Sequence, residues 1–146
     1  VDAGQRLVPG LDGRKMSKSH GNVVPLFADD ATLRRAVAGI VTDSAPIAAP
    51  KDPDTNPIHA LFRLVAGEAA GAELAAQLRA GGLGYGEAKQ RLLSALSAWL
   101  APLRERRRAL EDQPGLVERV LAAGATKAAA TAERTMAAVR QRVGLR

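Results

Sequence analysis

EAKQRLLSALSAWLAPLRERRRALED, residues 87–112, decides the fold class. Leu92, Leu96, Trp99, Leu103 and Leu110 recur at helical spacing, with charged and polar residues between them. On that spacing Trp99 reads as a core residue. Pro102 lies inside the run; it removes one backbone donor and predicts a kink, at about 3 kcal/mol if nothing compensates. Downstream, Gln113-Pro114-Gly115 breaks the helix. A short helix over Leu116–Ala123 and a last one over Ala125–Val143 follow, the latter with Ala128, Ala132, Met136, Val139 and Val143 on one face.

Upstream the pattern is again helical. GLGYG, residues 82–86, lacks the dinucleotide-loop spacing and reads as a hinge between helices. An alanine-rich helix fills residues 68–80. Before it, Asn56-Pro57 starts a helix whose buried stripe is Ile58, Leu61, Phe62 and Val65, with Asn as cap and Pro in the first turn. Residues 42–56 hold three prolines and three aspartates and read as a loop. Asp52 and Asp54 there suit turns and caps better than a metal. Asp29-Asp30 opens ATLRRAVAGIV, where Leu33, Val37 and Ile40 share a face. His59, beside Ile58, reads as structural. The expected fold is mainly α, a helical bundle over residues 27–146. Residues 1–26, rich in Gly and Pro, offer one short extended candidate, Gln5–Val8, and cannot form a sheet alone. They read as the tail of an α/β domain, loosely ordered without its sheet.

Composition narrows the chemistry. Cysteine is absent, so disulfides and thiolate metal sites are excluded. No apolar run approaches the roughly 20 residues of a membrane span, and no secretory signal is visible. Val1 in place of Met fits a processed or truncated product. Residues 82–146 carry twelve basic and six acidic side chains, so the net charge of +6 for the whole chain equals that of this segment. A field concentrated at one end suits a polyanion such as nucleic acid. Arg104, Arg106, Arg107, Arg108, Lys127 and Arg134 are the candidate contacts to an RNA backbone.

One stretch carries a sharper signal. GRKMSKSHGN, residues 13–22, sets Lys15, Lys18, Ser17 and Ser19 between flanking glycines. Its spacing suits neither a buried strand nor a buried helix, and it reads as a mobile loop for an anion. Lysine ammonium groups can follow a charge that develops during reaction, and serine hydroxyls can donate to phosphate oxygens. Charge stabilised only in the transition state raises the rate rather than binding alone. The order Lys15-Met16-Ser17-Lys18-Ser19 matches all five positions of the KMSKS signature of class I aminoacyl-tRNA synthetases.

The order of the remaining segments narrows the resemblance. Val24-Pro25-Leu26-Phe27, Thr42-Asp43-Ser44, Pro50-Lys51-Asp52-Pro53-Asp54, Gly84-Tyr85-Gly86 with Lys89, Pro102–Arg106 and Gly124–Ala128 follow one another. Together they resemble the C-terminal part of the bacterial tryptophanyl-tRNA synthetases over essentially the whole chain. The resemblance implies that residues 1–26 end a Rossmann-type catalytic domain and that 27–146 form an anticodon-binding helical domain. It implies ATP contacts from Lys15, Met16, Ser17, Lys18 and Ser19, with Lys15 and Lys18 catalytic. It also implies Mg-ATP, L-tryptophan and tRNA-Trp as substrates, a cytoplasmic homodimer when complete, and no resident metal. His20 stands where such proteins often carry Tyr, Leu or Asp. The family's His-x-Gly-His is missing, since the two histidines are His20 and His59. The isolated chain is therefore expected to be inactive. A non-catalytic basic RNA-binding module descended from such an enzyme is the alternative.

Overall fold

A computed structural model describes residues 7–145. Among the described residues the regular structure is one 3₁₀ turn (Lys18–His20) and five α-helices: α1 (Asp30–Ala38), α2 (Pro57–Ala66), α3 (Glu68–Ala80), α4 (Tyr85–Glu111) and α5 (Leu116–Arg142). No strand longer than a single bridge, between Pro9 and Lys15, occurs among the described residues. The chain divides into two compact units, Val1–Arg104 and Glu105–Arg146.

Local chemistry sets the helix starts in the first unit. Asp29 accepts the Thr32 N–H at 2.7 Å and caps α1. Asn56 accepts the Ile58 N–H at 2.9 Å, and Pro57, which has no N–H to lose, opens α2. The helices then bury one continuous core. Leu33, Val37 and Ile40 meet Ile58 and Leu61, Leu74 and Leu78, and the α4 stripe Ala88, Leu92, Leu96 and Leu100. Phe62 and Val65 lie partly buried against it.

Four expectations change. The buried α4 stripe ends at Leu100, which is 0% exposed, whereas Trp99, Leu103 and Leu110 of the expected stripe are 46%, 39% and 47% exposed. A four-residue spacing from Ala88 selects 92, 96 and 100, and Trp99 falls about 100° around the helix from Leu100. The chain downstream of Gly115 is one helix, not two, because Gly124 lies inside α5. Glycine costs about 1 kcal/mol relative to alanine there, and the alanine-rich flanks absorb it. The Thr126 hydroxyl bonds the Ala122 carbonyl at 3.0 Å across that position. Finally, the apolar face expected of the last helix buries nothing: α5 has no buried residue, and Met136, Val139 and Val143 are 44%, 43% and 63% exposed. The helix α4 also starts at Tyr85, two residues before the expected Glu87, and continues through Pro102.

The extended candidate Gln5–Val8 falls partly outside the described residues. Within them, Val8 accepts the Met16 N–H at 2.8 Å. Residues 8–16 and 22–24 are packed rather than loose. Leu11 and Met16 pack against the core, and Val24 belongs to it. The bundle itself replaces the sheet as their support.

Candidate functional site

The Lys15–Ser19 segment is built on a tight turn. The Gly10 N–H donates to the Arg14 carbonyl at 2.6 Å and the Gly13 N–H to the Gly10 carbonyl at 3.0 Å. Asn22, only 4% exposed, fastens this turn from behind. Its amide nitrogen donates to Asp12 Oδ1 at 2.7 Å and to the Lys15 carbonyl at 3.1 Å; its amide oxygen accepts the Ser17 N–H at 2.8 Å. Both donors and one acceptor site of the buried amide are thus engaged. Gly10 makes the fit possible, since a Cβ there would lie 2.3 Å from Asn22 Nδ2. The Asn22 bond, with the Arg14 N–H and guanidinium, holds the Asp12 carboxyl below the usual aspartate range.

Beyond the fastening, Lys18–His20 forms one 3₁₀ turn, closed by Gly21 at φ +65°. The Ser17 and Ser19 hydroxyls bond each other at 2.8 Å. Lys15 and Lys18 are exposed, and among the described residues neither ammonium has a carboxylate partner. Met16 points the other way, into the core. The turn thus presents two cations and two hydroxyls to solvent from a buried root, which suits a polyphosphate anion.

A cavity of ≈ 380 Å³ opens on the other side of the same turn, lined by Asp12 and Gly13, by Val41–Asp43, by Asp52 and Thr55–Pro57, and by Tyr85. Three carboxylates in its wall make it a poor site for phosphate. Those carboxylates are structural. Asp43 accepts the Ala45 N–H at 2.9 Å and the Tyr85 hydroxyl at 2.8 Å, and both hold its carboxyl low. Burial first, and then Asp43, push the Tyr85 phenol up to about 12. Asp52 accepts the Asp54 N–H and the Thr55 hydroxyl, forming the expected turn. Asp54 pairs with Arg79 at 3.0 Å. His59 is buried, with ring nitrogens 2.8 Å from the Pro53 carbonyl and 3.0 Å from the Gly71 carbonyl. Among the described residues, no group of three or more His, Asp or Glu is placed to hold a metal.

Two lysines that composition could not single out do structural work here. Lys51 is 3% exposed. Its ammonium donates to the carbonyls of Pro46, Ile47 and Ala49 at 2.9–3.1 Å and lies 5.4 Å from the Tyr85 ring centre. Lys89 donates to the Ala38 carbonyl at 2.7 Å, at the C-terminus of α1, and burial lowers its pKa.

The basic candidates separate. Arg104, in the first unit, has a largely covered side chain, 15% exposed; it pairs with Asp30 at 2.7 Å and reaches the Leu26 carbonyl at 3.4 Å. Arg106, Arg107, Arg108, Lys127 and Arg134 are exposed in the second unit. Arg107 pairs with Glu111 at 2.6 Å, and Arg134 reaches back to the Ala130 carbonyl of its own helix at 3.3 Å. No described helix is long and apolar enough to cross a membrane.

Known proteins are similar to this chain in sequence and in fold. The family model described as "tRNA synthetases class I (W and Y)" matches residues 4–101. A tryptophan–tRNA ligase of Rhodopirellula baltica is 41% identical over the whole chain, which covers 45% of that protein. One from Pseudomonas aeruginosa is 45% identical over 95% of the chain, covering 31% of its own length. A crystal structure of Campylobacter jejuni tryptophanyl-tRNA synthetase, complexed with ADP and tryptophan, superposes on 99% of the chain at TM-score 0.86 and 34% identity. The chain spans 46% of that structure, and so under half of each of these proteins. With two-thirds of its residues inside the family model and its helices superposing on a solved member, the chain belongs to the class I tRNA synthetases of the W and Y type.

Proposed function

We propose that the chain supplies the pyrophosphate-stabilising loop and the helical tRNA-binding part of a tryptophan–tRNA ligase. Residues 1–26 complete its catalytic domain, and 27–146 form its anticodon-binding domain. The observation that carries this reading is the exposed pair Lys15 and Lys18 on a root buried through Met16 and Asn22. A solvated basic linker has no need of such a root.

In this reading Lys15, Met16, Ser17, Lys18 and Ser19 form the ATP-facing loop, with Mg-ATP and L-tryptophan as substrates. As tryptophan carboxylate attacks the α-phosphorus, charge accumulates on the departing pyrophosphate. Lys15 and Lys18 neutralise it, and the two serine hydroxyls donate to its oxygens. Arg106, Arg107, Arg108, Lys127 and Arg134 meet the backbone of tRNA-Trp, with Arg104 bracing the helix that carries the first three. The complete enzyme works as a cytoplasmic homodimer.

The isolated chain should show no tryptophan-dependent ATP–pyrophosphate exchange, and fusion to the upstream half of the Rhodopirellula baltica ligase should create it. In the fusion, Lys15→Ala or Lys18→Ala should lower the exchange rate by about 10²–10³, the usual cost of removing one transition-state donor. A fusion that exchanges normally with both lysines replaced would refute the reading. An inactive fusion whose helical part still binds tRNA would favour the non-catalytic RNA-binding module.

A further inference from the structure

We propose that Asn22 is a positioning residue that divides the loop into a pinned half bearing Lys15 and a swinging half bearing Lys18. The inference rests on the phosphate-clamp reading above and deepens it. The two lysines sit in one motif, yet their backbones are held in opposite ways.

Lys15 is fixed on every side. Its residue bridges to Pro9, and the next N–H, of Met16, donates to the Val8 carbonyl at 2.8 Å. Its own carbonyl accepts from Asn22 at 3.1 Å, and the Ser17 N–H donates to Asn22 at 2.8 Å. Asn22 is anchored in turn: its carbonyl accepts the Leu11 N–H at 2.9 Å and its side chain reaches Asp12. Lys18 has none of this. The bonds of its segment are His20 N–H to the Ser17 carbonyl at 3.2 Å, Gly21 N–H to the Lys18 carbonyl at 3.1 Å, and the Ser17–Ser19 hydroxyl pair. Each begins and ends within Ser17–Gly21. The segment can therefore turn as a body about Ser17 and Gly21 without breaking a bond. Gly21 holds φ +65° in open space, which few other residues would tolerate.

The lysines then act at different times. Lys15 stands ready before the polyphosphate arrives, so it contributes to binding it as well as to stabilising the charge that develops later. Lys18 closes as charge develops, so its contribution belongs to the rate. Asn22 acts through Lys15 and has no direct contact with the anion.

The 146-residue chain, labelled with ¹⁵N, gives the test by amide hydrogen exchange and by titration with tripolyphosphate. The Met16 and Ser17 amides should exchange about tenfold or more slowly relative to Ser19 and His20. Asn22→Ala should abolish that difference while the helical melting curve stays in place. Gly10→Ala, which drives a Cβ into Asn22 without touching a helix, should reproduce the effect and serves if Asn22→Ala unfolds. In tripolyphosphate binding, Asn22→Ala with Lys15→Ala should weaken affinity no more than the worse single change, whereas Asn22→Ala with Lys18→Ala should multiply. Uniform exchange from Met16 to His20, no response to either variant, or coupling of Asn22 to Lys18 rather than Lys15 would overturn the proposal. A wild-type chain that keeps the exchange pattern but ignores tripolyphosphate would instead overturn the phosphate-clamp reading.

Discussion

Replacing Lys51 with methionine tests how the loop between α1 and α2 is held. The ammonium donates to three carbonyls at 2.9–3.1 Å in a residue only 3% exposed. Methionine keeps most of the stem and its packing, so the change isolates the charged hydrogen bonds. Each such bond contributes roughly 1.5–3 kcal/mol, and a buried carbonyl left without a donor costs about 1–3 kcal/mol. Loop relaxation and water entry will rescue part of that sum, so a loss of about 2–4 kcal/mol is expected. For a unit of this size that lowers Tm by roughly 10–25 °C. Trp99, the single tryptophan, lies in the first unit, so its fluorescence in a urea titration follows that unit. The midpoint should fall with the slope unchanged. Lys51→Arg should not rescue, because a planar fork cannot aim three donors at converging carbonyls. A Lys51→Met midpoint within about 0.5 kcal/mol of wild type would refute the argument.

Two further outcomes follow from the same geometry. Tyr85 is the single tyrosine, and its absorbance on ionisation should titrate near the raised value of about 12. The folded pKa lies above the ordinary 10.0, so the stabilisation it gives is full below pH 10 and is lost between pH 10 and about 12; Asp43→Asn should bring the midpoint down and shrink that loss. Gly124→Ala meets open space within α5 and should raise helical stability by up to about 1 kcal/mol, read as a higher melting point at 222 nm; a lower one would show that the glycine serves a close contact.

Much of the fold was legible because its signals are local. Asp29 and Asn56-Pro57 announce α1 and α2 through their own side chains, and spacings of three and four residues place Leu33, Val37, Ile58 and Leu61 inside. Trp99 shows the limit of that reasoning. A stripe of leucines fixes a helix and its rough face, but one position of drift separates a buried residue from an exposed one. Gly124 shows another limit, since a breaker stops a helix only when its neighbours are weak helix formers. In the loop, the spacing of GRKMSKSHGN specifies no buried strand or helix and does not say what Met16 packs against; the bundle beneath supplies that contact.

The order of residues by itself determined the helical character and the make-up of the KMSKS loop, since these depend on side-chain chemistry and near-neighbour spacing. Tertiary structure alone decided which cations are free to act. Lys51, Lys89 and Arg104 look like Lys15 and Lys18 in composition, yet the first three are spent on backbone carbonyls and Asp30. It alone revealed Asn22 as the root of the loop, ten residues from Asp12 in sequence and 2.7 Å away in space. A charge or an amide acquires its role from partners that only the folded chain brings within hydrogen-bond reach.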